Sequence, residues 1–286
     1  DNLTTTNVNA DINPDTTNTW DLGSQAVQWA ETHTNKLFAV GRTGSPVTTL
    51  TNSGIMFGNA SETNGAVSTM QNTGTGSMVG GSLDGDGAST TATISATNVG
   101  SIAFGECRAE GGNSATLQAT GVGTFALGSV VAAYQGNSTM EALGPATLCF
   151  GQAGYDYGAS SGAVDARIRS NFYGAIAGGW VGDYGGLGTE CAINADKAGS
   201  FAFGIAWSYG ADDANIFANG SASFVMGYAY PQGVGSTADL YASAAARGAF
   251  VQGFVRSTSG GAGALNALAP GAFVQGNVNG QGTSEI

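Results

Sequence analysis

Apolar and small residues along this chain fall into a six-residue figure that returns through most of its length. It is plainest in Gly199-Ser-Phe-Ala-Phe-Gly204, and close copies include Gly100-Ser-Ile-Ala-Phe-Gly105, Gly123-Thr-Phe-Ala-Leu-Gly128 and Gly248-Ala-Phe-Val-Gln-Gly253. The closing glycines fall at 58, 81, 105, 128, 151, 179, 204, 227, 253 and 276, in steps of 23 to 28 residues. Self-similarity at such a period marks a solenoid or array, in which each repeat is one unit stacked on its neighbours.

The third position of the figure is always large and apolar, from Ile55 to Phe273. The fourth is apolar and mostly compact, as in Val79, Ala103, Cys149 and Val251, while the fifth is mixed, running from Phe57 to Gln252 and Gln275. Neighbouring strand residues point to opposite faces, so positions three and four cannot share one core. Both faces of the strand are therefore expected to be buried, one inside the coil and the other against a second surface. Self-association is the simplest source of that surface. Threefold symmetry sets position four or five near a common axis, where Gln252 and Gln275 could form rings of hydrogen-bonded amides. Glycine at position six suits a tight bend or a close backbone approach between rungs. A second alternating segment lies between copies, as in Ala92–Ala96, Ala115–Ala119, Glu190–Ala195 and Asp239–Ser243, so a rung reads as strand, loop, strand, turn. The expected fold is all-β: a trimeric β-solenoid or β-roll-like fibre of about ten repeats, on the order of 50 Å long at ~4.8 Å per rung.

Composition narrows the function. Charged residues are 10% of the chain against roughly 25% in ordinary domains, while Gly is 48 of 286 residues and 42% is hydrophobic. The net charge is −12 and the eight basic residues form no dense patch, which excludes a nucleic-acid partner. No run of apolar residues is long enough for membrane insertion. Cys149 stands at position four as a small buried apolar residue, and Cys107 and Cys191 occupy other rung positions, so stacked disulfides are not expected. One His (His33) and no CxxC leave no basis for a zinc site or a Cys/His nucleophile, and no cofactor or metal is expected. Leu83-Asp-Gly-Asp-Gly87 reads as a solvated turn rather than a calcium loop. The threonines of Ser89–Ser95 do not recur at a fixed rung position, which speaks against an ice-binding array.

Residues 1–42 lack the repeat and form a separate N-terminal joining module ahead of a β-repeat shaft and head over 43–286. Asn13-Pro14-Asp15 reads as a turn, and Ser24 caps a short helix over Gln25–Glu31. The run from Asp11 through Pro14 to Asp21-Leu-Gly-Ser24, with Trp29 five residues on, resembles a linker module of phage tail fibres. That family often flanks the Trp with a basic residue, where this chain has Gln28 and Ala30. The repeats resemble the glycine-punctuated Ser-x-Ala-x-Gly coils in heads of trimeric autotransporter adhesins, whose coils are shorter. Together the two resemblances imply a homotrimeric, extracellular attachment fibre on a virion, joined to neighbouring fibre or tail proteins. The C-terminal stretch Asn279–Ile286 looks like no cap, and the polypeptide is expected to continue or to have been trimmed there.

Aromatic residues collect after successive closing glycines: Tyr134, Tyr155 and Tyr157, Trp180 and Tyr184, Trp207 and Tyr209, Tyr228 and Tyr230. Stacked rungs would line them up along one edge, interleaved with Asp156, Asp183, Asp212 and Asp213. Ring faces stack on sugar C–H groups and carboxylates accept hydroxyl protons, so this edge is the candidate receptor or glycan surface on the host cell. The plainer role of the same rings is to cover the strand edge. Asp156 and Asp183 would be the pair for a polysaccharide-degrading alternative, since glycosidase carboxyls stand about 5–9.5 Å apart. A bacterial trimeric adhesin is the third alternative. The reading is an adhesive, non-enzymatic fibre component.

Overall fold

The computed structural model describes residues 36–51, 53–132, 136–154, 164–182, 192–207, 213–232, 237–242, 249–258, 262–267 and 272–279. The expected joining module, with its turn and helix, lies outside them up to residue 35. The described chain is all-β. Its strands alternate between an 11-stranded sheet, running from Lys36–Thr43 to Phe273–Val274, and a 10-stranded sheet, running from Val47–Leu50 to Asn266–Ala267. Pairing is parallel and joins strands one repeat apart, which makes a parallel β-solenoid. A short third ladder pairs Pro231–Gln232 with Ser257–Thr258. Lys36–Thr43 already pairs with Gly54–Thr63, so the repeat sheet begins before residue 43, where the sequence pattern placed its start.

Register brings like positions together. The closing glycines pair in one row, Gly58 with Gly81, Gly81 with Gly105, and so on to Gly179 with Gly204. Position four points inward, and Met56, Val79, Ala103, Ala126, Cys149, Ala177, Ala202, Val225 and Val251 are fully buried. Facing them, the second sheet sends one large aliphatic side chain per rung into the core: Met70, Ile94, Leu117, Met140, Ile168, Ile193, Ile216, Leu240 and Leu265. Burial of each contributes roughly 1.5–3 kcal/mol relative to exposure. The small residues of the first sheet leave the space that this aliphatic column fills.

The closing glycine meets two demands at once. From Gly58 to Gly204 its φ lies between +118° and +156°, a region that residues with a Cβ rarely adopt. A Cβ there would also strike the next rung: at Gly151 it would stand 1.7 Å from the Gly179 carbonyl oxygen. Further along, the obstacle is the core itself, with the Leu265 side chain 2.4 Å from a Cβ placed on Gly253.

Turns returning from the second sheet to the first share one chemistry. The residue at position one is left-handed, with φ of +66° at Gly76, +64° at Gly100, +63° at Gly123 and +55° at Ala146. The buried hydroxyl at position two then donates to the carbonyl three residues back: Ser77 to Gly74 at 2.6 Å, Ser101 to Asn98 at 2.6 Å, Thr124 to Gly121 at 2.9 Å, Thr147 to Gly144 at 2.8 Å. Ala175 has no hydroxyl, and Ser170 Oγ donates instead to the Ala175 carbonyl at 2.7 Å.

Threonine does recur from rung to rung, contrary to the sequence reading. Thr69, Thr93, Thr116 and Thr139 pair in register on the outer face of the second sheet. The local tract over 89–95 hid this, because only Thr93 of that tract belongs to the ladder. The ladder ends where Thr139 pairs with Arg167. Beside it, Gln118 donates to Glu141 Oε1, and Arg169 donates to Glu141 Oε2 at 2.8 and 3.1 Å.

The two kinds of glycine allow a paired test. Gly151→Ala is expected to lower stability by roughly 3 kcal/mol or more, from a strained φ and a carbonyl clash. Gly123→Ala, with nothing within 4 Å of its Cβ and Ala146 already standing at the equivalent place, is expected to lose only about 1 kcal/mol. Denaturant midpoints by circular dichroism read both. Equal losses would show that contact with the next rung does not select the closing glycine.

Candidate binding face

The outward half of the same strands carries the candidate site. Positions three and five face away from the core, as do the residue after each closing glycine (position seven) and the one two further on (position nine). Of the two positions that an axis could use, position four is thus taken by the chain's own interior. Columns three and five are apolar over most of the sheet. Phe104 and Phe125 are 42% and 41% exposed, Met226 44% and Phe273 64%. Their rings touch along the coil, with Phe224–Phe250 centroids 5.0 Å apart and Phe250–Phe273 centroids 5.2 Å apart. Where column five has glycine, phenylalanines close over it. Phe57 and Phe104 meet at 5.5 Å across Gly80, and Phe150 and Phe203 at 5.9 Å across Gly178.

Columns seven and nine change character along the sheet. Early rungs are polar: Asn59, Ser82 and Glu106 in one column, Ser61, Asp84 and Arg108 in the other. The expected solvated turn over Leu83–Gly87 is instead the end of the strand Ser77–Asp86, with Leu83 buried and both carboxylates outside. Alternation along the strand forces that outcome. Ser61 Oγ donates to Asp84 at 2.5 Å, and Asp86 accepts from Asn64 at 2.6 Å and Thr63 at 2.8 Å. The Asn64 and Thr63 bonds hold the Asp86 carboxyl below its usual range.

Late rungs carry aromatics at the same two columns. Trp180 and Trp207 lie 4.5 Å apart at their ring centroids, and Trp207 stacks on Tyr230 at 6.4 Å. Tyr230 lies 5.5 Å from Tyr228, and Tyr228 lies 5.2 Å from Phe254 with only 3° between the planes. Arg256 sits over the Tyr230 ring at 6.0 Å. Gly182 leaves room for the tryptophan pair, since a Cβ there would come within 3.2 Å of Trp207 and 3.3 Å of Trp180. Thus Trp180, Trp207, Tyr228 and Tyr230 come together, with Trp180 in the strand Ile176–Val181 and the other three just past the strands Phe201–Ala206 and Phe224–Met226. Tyr134, Tyr155, Tyr157, Tyr184, Tyr209, Asp156, Asp183 and Asp212 lie outside the described residues, and with them the carboxylate pair considered for glycoside cleavage.

Phe254 and Arg256 belong to the cluster and escaped the sequence reading. Counting from the closing glycine finds both, because Gly253-Phe254 repeats the offset of Gly179-Trp180 and Gly227-Tyr228. The backbone here is strained. Tyr228, Tyr230 and Phe254 have φ of +110°, +133° and +104°, each costing about 1–3 kcal/mol for a bulky residue. Burial also raises the Tyr228 phenol above its ordinary pKa, with Tyr230 adding to the shift, so it stays neutral near pH 7 and keeps its proton to donate.

Among the described residues no cysteine lies on this face, and Cys191 lies outside them. Cys107 and Cys149 are buried free thiols in the core. Burial pushes the Cys107 pKa up to about 12 and raises that of Cys149 well above its usual value. Cys107 Sγ also donates to the Ala115 carbonyl at 3.0 Å. Among the described residues no group of three or more His, Cys, Asp or Glu side chains could hold a metal ion, and no helix is long and apolar enough to cross a membrane. Set beside known proteins, the chain matches no family model, no curated protein and no solved structure.

Alkylation tests the thiol assignment. Under native conditions at pH 8, iodoacetamide is expected to leave the peptides holding Cys107 and Cys149 unmodified, and unfolding in guanidinium should expose both. Rapid native labelling of Cys107, read by mass spectrometry, would contradict its place in the core.

Proposed function

We propose that this chain is the repeat-bearing part of a self-associating attachment fibre, of the phage tail type that its N-terminal motif resembles, and that it acts outside the cell as a structural and adhesive component rather than an enzyme. The observation that carries this reading is the outward apolar face. A solenoid with an internally complete core has no need of Phe104, Phe125 and Phe273 in water, and contiguous exposed apolar area marks an interaction surface. The occupant is a second and a third copy of the same chain. Columns three and five repeat with the rung spacing on every copy, so parallel copies present matching ridges. They also carry no formal charge that would have to be desolvated. That contact runs along the rungs before Gln252 and Gln275, where column five is apolar or glycine. The aromatic cluster of the late rungs then serves as the contact surface for a host glycan, with Trp180, Trp207, Tyr228 and Tyr230 offering ring faces to sugar C–H groups.

Light scattering at micromolar concentration is expected to give a mass near three times that of the 28.3 kDa chain. Phe104→Asp and Phe125→Asp should reduce it to that of one chain while circular dichroism keeps its β signal, because each places a charge in an apolar contact. A stable wild-type monomer would refute the fibre reading. Trp180→Ala together with Trp207→Ala should abolish adsorption to host cells with the mass unchanged, and loss of assembly in that variant would show the tryptophans to be structural.

A further inference from the structure

In the last rungs column five stops being apolar. Gln252 and Gln275, both exposed, stand where earlier rungs carry Phe104, Leu127 or Phe203. Between them and column seven lies an open cleft of about 360 Å3, lined by Met226, Tyr228, Gln252, Phe254, Gln275 and the glycine backbone at 227, 253 and 276. That volume is within the roughly 300–1,000 Å3 typical of ligand pockets. One wall is formed by the Tyr228 and Phe254 rings, stacked parallel with centroids 5.2 Å apart, and both residues are held at positive φ. Strain that the surrounding structure holds in place gathers at binding sites. Among the described earlier rungs the residue after the closing glycine has no positive φ, so the strain belongs to these late rungs. The other wall presents two primary amides, each with a donor and an acceptor, and no charged side chain lines the cleft.

We propose that this cleft is a saccharide subsite that takes one neutral pyranose of a surface glycan. The apolar C–H face of the sugar packs against the stacked Tyr228 and Phe254 rings. Vicinal hydroxyls both donate to and accept from the Gln252 and Gln275 amides, and the Tyr228 hydroxyl closes the rim. The assignment rests on the attachment reading above and adds to it a defined ligand class and the residues that select it. It also gives the two glutamines a ligand to bind in place of an amide ring about an axis.

The experiment probes the full chain on an array of neutral and acidic mono- and oligosaccharides of bacterial surfaces, and measures the best ligand by calorimetry. The wild type is expected to bind glycans with an accessible neutral pyranose. Gln252→Ala with Gln275→Ala is expected to weaken that binding about tenfold or more, through the lost amide hydrogen bonds, with mass and melting temperature unchanged. Tyr228→Gly provides a second variant. It should lose binding while the fold is retained, because glycine adopts that φ freely. Binding unchanged in the double glutamine variant but lost in Trp180→Ala with Trp207→Ala would overturn the cleft and leave the attachment reading standing. A fall in mass in the glutamine variant would make the cleft a subunit contact and overturn it as well. No glycan bound by the wild type would sink both.

Discussion

The whole coil depends on how closely one rung can approach the next at the closing glycine. There the backbone turns through a conformation that L side chains avoid, and the carbonyl of the following rung fills the place a Cβ would take. Each rung is pinned to its neighbour at one fixed row, and the pairing of every other residue follows from it. Opposite that row, the removal of side-chain volume gives the second sheet room for one large aliphatic per rung. A slip by one residue would put Leu117 outside and Gln118 inside, so the hydrophobic column and the glycine row specify the same register from two sides. Agreement between backbone and core makes the structure single-valued.

Once the core is complete, the outward residues are free to carry function, and they differ along the coil. Columns three and five keep an apolar character that suits contact with like surfaces. Columns seven and nine begin with hydroxyls and carboxylates tied together between rungs and end with tryptophan, tyrosine and phenylalanine. The same sheet is thus polar at one end and aromatic at the other, and its ladder shortens from Gly54–Thr63 against Ser77–Asp86 to Phe250–Val251 against Phe273–Val274. The late rungs also hold the strained aromatic residues Tyr228, Tyr230 and Phe254, each at positive φ. Local conflict of this kind, inside an otherwise consistent repeat, marks where selection has acted on something other than folding.

Much of this was legible in the sequence. The period, the glycine row, the two-strand rung and the opposed faces of positions three and four all follow from spacing and from the alternation of a strand. The aromatic group was also visible, although assigned to loops. Only Trp180 lies within a strand, Ile176–Val181, while Trp207, Tyr228, Tyr230 and Phe254 follow strands that end at Ala206, Met226 and Val251. The threonine ladder was missed. Its members lie 23 or 24 residues apart, so a search within one tract finds composition and loses register. Two features had no reading in advance. The strain at Tyr228 and Phe254 leaves no trace in residue type, since tyrosine and phenylalanine favour ordinary strand angles. The cleft depends on which side chains from three different rungs become neighbours.

The two ways of crossing between the sheets are unequal. Returning from the second sheet to the first, the chain uses the same hydroxyl-closed turn at six rungs from Gly74–Ser77 to Gly220–Ser223, with the donor three residues past its acceptor, and only the Ala175 turn among them lacks that hydroxyl. Going the other way, the step from strand to strand varies from Thr63–Val67 and Glu110–Ser114 to Ala153–Val164 and Val181–Ile193. One side of the solenoid therefore admits little insertion, with a longer step at Ala242–Phe250, and the other is open to it. New segments can enter on the open side with the register untouched, so the coil can diversify what it displays while remaining the same coil.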